Sequence, residues 1–345
     1  MSSKIDINDP INKAILEAIF DFTPINEIHY RANTTNKSVL KRLRKLKAEG
    51  YIELHQSGLY QLVPKEVFHK HFKLNGLSES EVFENEIEKL ELKLNDNANF
   101  ILFYGFTEML NNAIDHSRGS EVEVAIVETL IGYEIYIIDN GIGIFRKIKK
   151  VFGYKNESES ILHLSKGKLT TDETNHSGQG IFFTSRMMDH FHIFSGENYF
   201  SHDHNKSKDV LSLANPIPDD KQKGTAVIMS VRKQSKIDGS KVFSDYTSSD
   251  GSYAFEKTVV PIQLTKFASN DLLVSRSQAK MVMANLQEFE EIILNFEGVM
   301  MIGQAFADEI FRVFQNKFPE KKISWVKANR KVESIIRKAI AESKR

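Results

Sequence analysis

Residues 108–143 constrain the fold more than any other stretch of the chain. Within them, residues 133–138 are mostly β-branched and aromatic, which predicts a buried strand. This run leads directly into Asp139, and Gly141 and Gly143 follow at a spacing of two. Glycine has no side chain, so it permits tight turns and a close approach of the backbone to a ligand. The sequence therefore predicts a strand that ends in a turn beside a bound molecule.

A helix is predicted upstream of this strand, over residues 100–116, because apolar residues recur there at helical spacing. Glu108 and Asn112 stand four residues apart, so their side chains lie on one face of this helix. A carboxylate in such a place can orient or deprotonate water, and an amide oxygen can coordinate Mg²⁺. Asp139 at the strand end can accept a hydrogen bond from an adenine amino group. Together these features predict an ATP site.

Two later segments complete the predicted site. Residues 176–180 precede an apolar helical run and contain four candidate ligand-binding residues, namely Ser177, Gly178, Gln179 and Gly180. A glycine-rich loop that leads into a helix presents backbone N–H groups and a positive dipole end to phosphate. The polar residues 165–175 before it are predicted to form a mobile lid. Farther on, Thr225 opens a strand and can place its hydroxyl near Asp139.

These pieces, in this order, resemble the GHKL ATPase superfamily, which includes gyrase, the Hsp90 chaperones, MutL-type repair proteins and sensor histidine kinases. The matching residues are Glu108, Asn112 and Ala113 for the helix motif; Asp139, Gly141 and Gly143 for the adenine motif; Gly178 and Gly180 for the lid glycines; and Gly224 and Thr225 for the closing motif. The resemblance implies a two-layer α/β sandwich of the Bergerat type that holds ATP and Mg²⁺ between helices and sheet. It also implies that Glu108 is the catalytic residue, Asn112 the magnesium ligand, and Asp139 and Thr225 the adenine-binding residues.

The overall composition excludes several classes of function. The formal net charge of the chain is zero, so attraction to nucleic acid requires a local patch. The absence of cysteine excludes disulfides, thiolate metal sites and cysteine nucleophiles. The sequence contains no apolar run of the roughly 20 residues that span a bilayer, and its first residues have no apolar signal core. We therefore expect a cytoplasmic protein without a membrane partner.

The first domain is predicted over residues 1–75. Residues 10–63 have the pattern of three helices and a short hairpin, which resembles the winged helix-turn-helix. The third helix is basic, and the side chains expected to contact DNA phosphates are Lys37, Lys41, Arg44 and Lys45. Winged helices also serve as protein-docking modules, and a basic helix face is often simply solvated. DNA binding and protein docking therefore both stay open.

The ATP-binding domain is assigned to residues 76–234 and begins with a helical segment. Its apolar residues Phe83, Ile87, Leu90 and Leu94 recur at helical spacing. Such a seam can pair two subunits, so a homodimer is one hypothesis. Packing of the seam on its own domain is the alternative that we favour.

Residues 235–256 are rich in Ser, Asp and Gly and are predicted to be a linker. Residues 257–345 alternate strands and helices and resemble the STAS-like domains found behind GHKL ATPases. Regulatory members of that group carry a serine that a GHKL kinase phosphorylates. Here the corresponding segment contains Gly303 and Gln304 and has no hydroxyl, so self-phosphorylation there is not expected.

The predicted fold class is thus a multidomain α/β protein with a winged helix, an ATPase sandwich and a small STAS-like domain. The leading functional hypothesis is an ATP- and Mg²⁺-dependent intracellular switch that couples nucleotide state to the two flanking domains, with a partner protein for the STAS-like one. Two alternatives are a serine/threonine protein kinase of the anti-sigma-factor type and an ATP-modulated DNA-binding regulator.

Overall fold

The structure is a computed structural model of the 345-residue chain. It describes residues 4–55, 58–168, 178–204, 208–212, 223–247, 255–265 and 273–343. The described part is an α/β protein with three sheets of two, seven and three strands. None of its described helices is both long and apolar enough to cross a membrane.

The N-terminal unit contains helices α1 (Pro10–Phe20), α2 (Ile28–Arg31) and α3 (Asn36–Ala48), followed by strands β1 (Ile52–Leu54) and β2 (Tyr60–Leu62). Helix α1 begins with proline and is capped by Asp9, whose side chain accepts from the backbone N–H groups of the first turn. The unit has its own apolar core, which includes Ile15 and Leu43. Three helices and a hairpin match the order of elements predicted for this segment.

Strand β3 (Lys65–Lys73) follows the hairpin after two residues and was not predicted from the sequence. It pairs antiparallel with β4 (Glu121–Glu128), so it is the edge strand of the seven-stranded sheet. The strand lies within the range 1–75 assigned to the first domain, yet its hydrogen bonds belong to the central sheet. Its charged and histidine residues are all exposed, and this obscured its strand pattern.

The central sheet is antiparallel throughout, with strand order β3-β4-β5-β9-β6-β7-β8. Its other strands are β5 (Gly132–Asp139), β6 (His190–Ser195), β7 (Asn198–Asp203), β8 (Lys208–Ser212) and β9 (Thr225–Arg232). Helix α5 (Asp96–His116) is the longest helix and packs its buried residues on this sheet. Helices α6 (Ile144–Phe152), α7 (Glu157–Lys166) and α8 (Gly180–Met187) follow it in the chain.

The predicted seam before α5 packs inside its own chain. Ser78 caps helix α4 (Glu79–Val82), which continues as a π-helical turn, Phe83–Ile87, and a short 3₁₀ turn, Glu88–Leu90. The ring of Phe83 contacts Phe103 and Phe106 of α5 at 4.9 and 5.6 Å between ring centroids. These contacts favour the interpretation of the seam as intramolecular packing.

The predicted lid and the predicted linker both differ from the structure in part. Lid residues 165 and 166 are buried at the end of α7, and residues 169–175 lie outside the described part of the chain. Residues 235–256 contain helix α9 (Gly239–Tyr246), which puts Phe243 against Tyr104 and Phe183 at 5.3 and 4.7 Å between centroids. Aromatic packing therefore holds α9 on the central domain, although its polar residues suggested a loose connection.

The C-terminal unit has a parallel sheet of order β10-β11-β12, formed by β10 (Lys257–Pro261), β11 (Glu291–Asn295) and β12 (Lys322–Val326). Helices α10 (Arg276–Met283), α11 (Gln304–Asp308), α12 (Gln315–Lys317) and α13 (Arg330–Ser343) accompany it, and a π-helical turn, Glu309–Phe314, joins α11 to α12. Ser275 caps α10 in a capping box with Gln278. The buried residues of this unit are continuous with the core of the central domain.

Candidate functional site

The candidate site centres on the end of β5, where Asp139 stands directly opposite Thr225 of β9. The Oδ1 atom of Asp139 accepts hydrogen bonds from the backbone N–H groups of Gly141, at 2.8 Å, and Thr225, at 3.3 Å. The side chain is buried, with 6% of the residue exposed. This burial raises the pKa of Asp139 to about 6, although the N–H donors act in the opposite direction.

Backbone segments meet around Asp139 so closely that two of the predicted glycines have no room for a side chain. A Cβ atom on Gly224 would overlap the carbonyl oxygen of Asp139, and one on Gly141 would overlap the carbonyl oxygen of Ser117. Gly224 also has a φ of +84°, a conformation that other residues rarely adopt. The glycines are thus required by chain packing as well as suited to ligand approach.

Thr225 also connects the two sides of the turn. Its Oγ1 accepts a hydrogen bond of 3.0 Å from the backbone N–H of Ile144, the first residue of α6. The preceding residue, Gly143, has a φ of +85° and lies against the hydroxyl of Ser195. The turn, the start of α6 and the start of β9 therefore form one hydrogen-bonded structure.

Glu108 and Asn112 lie one turn apart on α5, as predicted, and both are half-buried. The carboxylate of Glu108 lies against Gly180, the first residue of α8, where a Cβ atom would overlap its Oε2. Negative charge is stabilised at a helix N-terminus. Glu108 also accepts a hydrogen bond from the Tyr104 hydroxyl, and burial together with this carboxylate raises the pKa of Tyr104.

The amide oxygen of Asn112 receives no hydrogen bond from a described residue, whereas its Nδ2 lies 3.9 Å from the sulfur of Met109. An oxygen without a donor is suited to bind a hard cation such as Mg²⁺, which uses one or two protein ligands and fills its other positions with water and phosphate.

The glycine-rich loop is only partly described. Gly178 has a φ of +69°, and Gln179 precedes α8, with its carbonyl oxygen accepting from Phe183 at 3.0 Å. Ser177, which was predicted to contact phosphate, lies outside the described residues.

Helix α5 joins the two parts of the site. Its middle, at Glu108, contacts the start of α8, and its C-cap, Ser117, accepts a hydrogen bond of 2.9 Å from Ile142 in the turn. The nine steps from residue 108 to residue 117 span about 13 Å along a helix. The structure thus places the predicted carboxylate and amide on α5, and the predicted turn at the end of a strand in the sheet that α5 covers.

A cavity of about 440 Å³ opens beside the turn. It is lined by Gly141, Ile142, Gly143, Arg146, Glu157, Ser195, Gly196, Lys223 and Gly224. Sequence reasoning missed Arg146 and Glu157, because neither lies in a recognisable motif. Neither Glu108 nor Asn112 lines this cavity, so it extends the site on the side of the turn.

A second candidate surface is the outward face of α3. Lys37, Lys41 and Arg44 are exposed and Lys45 is half-buried, and none of the four forms an ion pair with a described residue. Arg42 differs from them, because it binds Asp9 at 2.8 Å and the side chain of Asn12 at 2.6 Å. The basic face is therefore available to a partner, whereas Arg42 holds α3 on α1.

Taken together, fold and site define a multidomain α/β protein with an antiparallel sheet, a buried Asp at a glycine-bordered turn, and a C-terminal parallel sheet. Residues 278–333 match the family model described as "STAS-like domain of unknown function (DUF4325)". The match extends from α10 into α13 and confirms the STAS-like domain predicted for the C-terminal part of the chain. No curated protein matches the chain.

The segment in which the sequence has no hydroxyl lies at the start of helix α11 in the C-terminal unit. Helix α11 begins at Gln304 after Gly303, so no hydroxyl stands at this helix start. The nearby Ser275 and Ser277 hydroxyls lie 2.9 Å apart, and Ser275 is engaged in the cap of α10.

Proposed function

We propose that the chain is a regulatory switch of the GHKL type that binds ATP and Mg²⁺. The observation that carries this proposal is the buried Asp139, which is paired with Thr225 and enclosed by glycine backbone. A buried carboxylate costs free energy unless it has a defined set of donors. Its Oδ2 atom receives no backbone N–H from a described residue, so it can accept from an adenine amino group.

Each half of the site has its own task in this proposal. Asp139 and Thr225 hold the adenine, and Asn112 binds Mg²⁺ through its amide oxygen. Glu108 orients or deprotonates the attacking water, and Mg²⁺, when bound, neutralises charge on the phosphates. The start of α8, at Gly180, offers N–H groups and a positive dipole end to phosphate.

Contacts between α7 and the C-terminal unit support the coupling part of the proposal. The Nζ atom of Lys166 donates to the carbonyl oxygens of Met281 and Ala284, both at 3.1 Å, and Thr258 donates to the carbonyl oxygen of Lys166 at 2.6 Å. Lys168 donates to the carbonyl oxygen of Glu288 at 2.7 Å. The segment that leads towards the phosphate loop is therefore anchored on the STAS-like unit. Through this contact, nucleotide binding can change how the STAS-like unit is exposed to a partner.

The test is a calorimetric titration with a non-hydrolysable ATP analogue and Mg²⁺. We expect saturable binding to the wild-type chain, loss of binding in Asp139→Asn, and unchanged binding in Asp245→Asn, a variant at an exposed carboxylate on α9. Glu108→Ala should bind the analogue but no longer turn over ATP. Equal affinity of the wild type and Asp139→Asn would overturn the site assignment.

The anti-sigma-factor type of kinase makes a different prediction from the same site. Incubation with ATP labelled at the γ-phosphate distinguishes them, because a switch ATPase releases labelled phosphate and a kinase transfers it to a hydroxyl of a separate STAS protein. The absence of a hydroxyl at Gln304 favours release over transfer within this chain.

A second function, DNA binding, is favoured by the unpaired cations of α3. Exposed Lys and Arg groups bind phosphates and release counterions, which makes the affinity depend steeply on salt. The Lys41→Ala/Arg44→Ala variant should reduce the salt slope of duplex binding by about two. Lys331→Ala/Lys338→Ala, which changes two exposed lysines of α13, is the matched control. Equal slopes in the two variants would favour protein docking instead.

A further inference from the structure

Two histidines of the edge strand β3 point to the open face of the central sheet. In the β3–β4 ladder His69 stands opposite Ala125, and His71 stands opposite Glu123. Side chains two residues apart on a strand, and those of directly opposed residues, share one face. His69, His71 and Glu123 therefore project together, away from the face that α5 covers.

The ligand atoms of these three side chains form a compact group. The Nε2 atom of His69 lies 3.0 Å from Oε1 of Glu123, and the two imidazole rings are 5.5 Å apart between centroids. One nitrogen from each histidine and one carboxylate oxygen all lie within 4.8 Å of one another. We propose that His69, His71 and Glu123 form a binding site for a divalent transition metal ion, with zinc as the best-fitting ion.

The donor set identifies the class of metal. Two imidazole nitrogens and one carboxylate oxygen suit Zn²⁺, Cu²⁺ or Ni²⁺, whereas Mg²⁺ and Ca²⁺ prefer oxygen alone. Tetrahedral zinc with bonds of about 2.0–2.1 Å places its ligand atoms roughly 3.3 Å apart. The separation between His69 and Glu123 is close to this value. Both histidines are exposed, so the fourth position is open to water or to a donor from another molecule.

A second carboxylate supports this site from the other side of the His69 ring. The Oε2 atom of Glu66 lies 3.5 Å from Nδ1 of His69, and the ladder shifts register between Glu66 and Phe68. A metal-binding histidine usually donates its other N–H to a carboxylate, which fixes the tautomer and orients the ring. Here Nδ1 faces Glu66, which leaves Nε2 for the metal.

The lysine between the two histidines does not compete for the site. Lys70 alternates to the opposite face, where its Nζ donates to Glu86 at 2.7 Å. The β3–β4 ladder continues before and after these residues along the strands, so it keeps the ligands in place without the metal. The site is therefore largely preformed.

The experiment is a titration of the untagged, chelator-treated full-length chain with Zn²⁺ alone, followed by calorimetry, and with Co²⁺ followed by absorption. We expect one equivalent to bind in a saturable way. His69→Ala and His71→Ala should each weaken the affinity at least about tenfold, and Glu66→Gln should weaken it by about 10-fold to 100-fold. His55→Ala, at an exposed histidine outside the central sheet, should leave the affinity unchanged.

The melting temperature gives a second readout. Zinc should raise it in the wild type and in His55→Ala, because a ligand that binds the folded chain stabilises it, and it should not do so in His71→Ala. The proposal is overturned by the absence of saturable binding, or by zinc affinity that neither β3 histidine variant changes. Because no nucleotide is present, these outcomes are independent of the ATP site.

Discussion

The Nζ atom of Lys166 lies 3.1 Å from the carbonyl oxygen of Ala284, within a contact between α7 and the C-terminal unit that excludes water. The same nitrogen lies 3.2 Å from Nδ1 of His163. Burial lowers the pKa of Lys166 to about 7 and that of His163 to about 2. A charge-bearing side chain is thus enclosed where two units of the chain meet.

This enclosure predicts how stability depends on pH. Between pH 7 and 10.5 the unfolded chain keeps the Lys166 proton and the folded chain releases it, so the free energy of unfolding rises with pH. The contribution is at most about 1.4 kcal/mol per pH unit. Urea unfolding from pH 7 to 9.5 should show a shallower rise in Lys166→Met than in the wild type. Lys338→Met, at an exposed lysine, should keep the wild-type slope; identical slopes in all three proteins would contradict the prediction.

Nucleotide affinity should also depend on pH if the proposed site is right. Ionised Asp139 offers acceptors on both carboxylate oxygens, whereas protonation turns one of them into a donor, and burial raises the pKa of Asp139 to about 6. At pH 5 only about a tenth of the carboxyl groups are ionised, so the affinity for an ATP analogue should fall roughly tenfold below its value at pH 7.5. Circular dichroism at both pH values checks that the chain stays folded. A constant affinity over this range would argue against Asp139 as the adenine acceptor.

A pair of glycine variants separates backbone strain from loss of space. Gly224 and Gly153 both have a positive φ, +84° and +71°, but only at Gly224 would a Cβ atom meet another part of the chain, at Asp139. Both alanine variants carry about 1 kcal/mol of left-handed strain. We expect Gly224→Ala to lose nucleotide binding and to melt well below Gly153→Ala, which should still bind. Equal melting temperatures and equal nucleotide affinities of the two variants would contradict the close approach of Gly224 to Asp139.

The contact between the N-terminal unit and the central sheet depends on Arg232. Its guanidinium binds the carboxylates of Asp21, from the unit, and Asp189, which directly precedes β6 of the sheet, and both are buried. Removing one partner of a buried pair costs about 3–5 kcal/mol, so Arg232→Met should lower the free energy of unfolding by this amount. Arg337→Met, which breaks an exposed i,i+4 pair with Glu333, should cost only about 0.3–0.5 kcal/mol. Chemical denaturation measures the free energy of unfolding of both variants. Similar decreases in the two would show that the contact of Arg232 with Asp21 and Asp189 contributes little.

The sequence predicted those parts of the fold whose pattern is local. Helix α5 and strands β4, β5 and β9 have clear periodicity, and the motif residues Asp139 and Glu108 fall where the pattern placed them. Helix α7 was not predicted, because its sequence is half polar and its burial depends on elements distant in the chain. The same holds for α9, because the polar residues around Phe243 and Tyr246 in the sequence obscured the helical pattern.

Strand β3 shows why one candidate site was missed. Its histidines at a spacing of two were a usable signal, but their partner Glu123 lies in another strand about 50 residues away, so only the paired sheet brings them together. The role of Lys166 was missed for a similar reason. Its acceptors are carbonyl groups of α10 and the following residue, and backbone acceptors leave no trace in a sequence.

Between the end of β2 at Leu62 and the start of β3 at Lys65 lie only Val63 and Pro64. Proline fixes its own φ and restricts the residue before it, so this connection has few backbone conformations available to it. A partner that rotates the N-terminal unit must therefore distort either the ion pairs of Arg232 or the pairing of β3 with β4 at the edge of the central sheet. The connection is therefore rigid, and a movement of α3 caused by a bound partner is transmitted to the sheet that contains Asp139, because no flexible linker separates them.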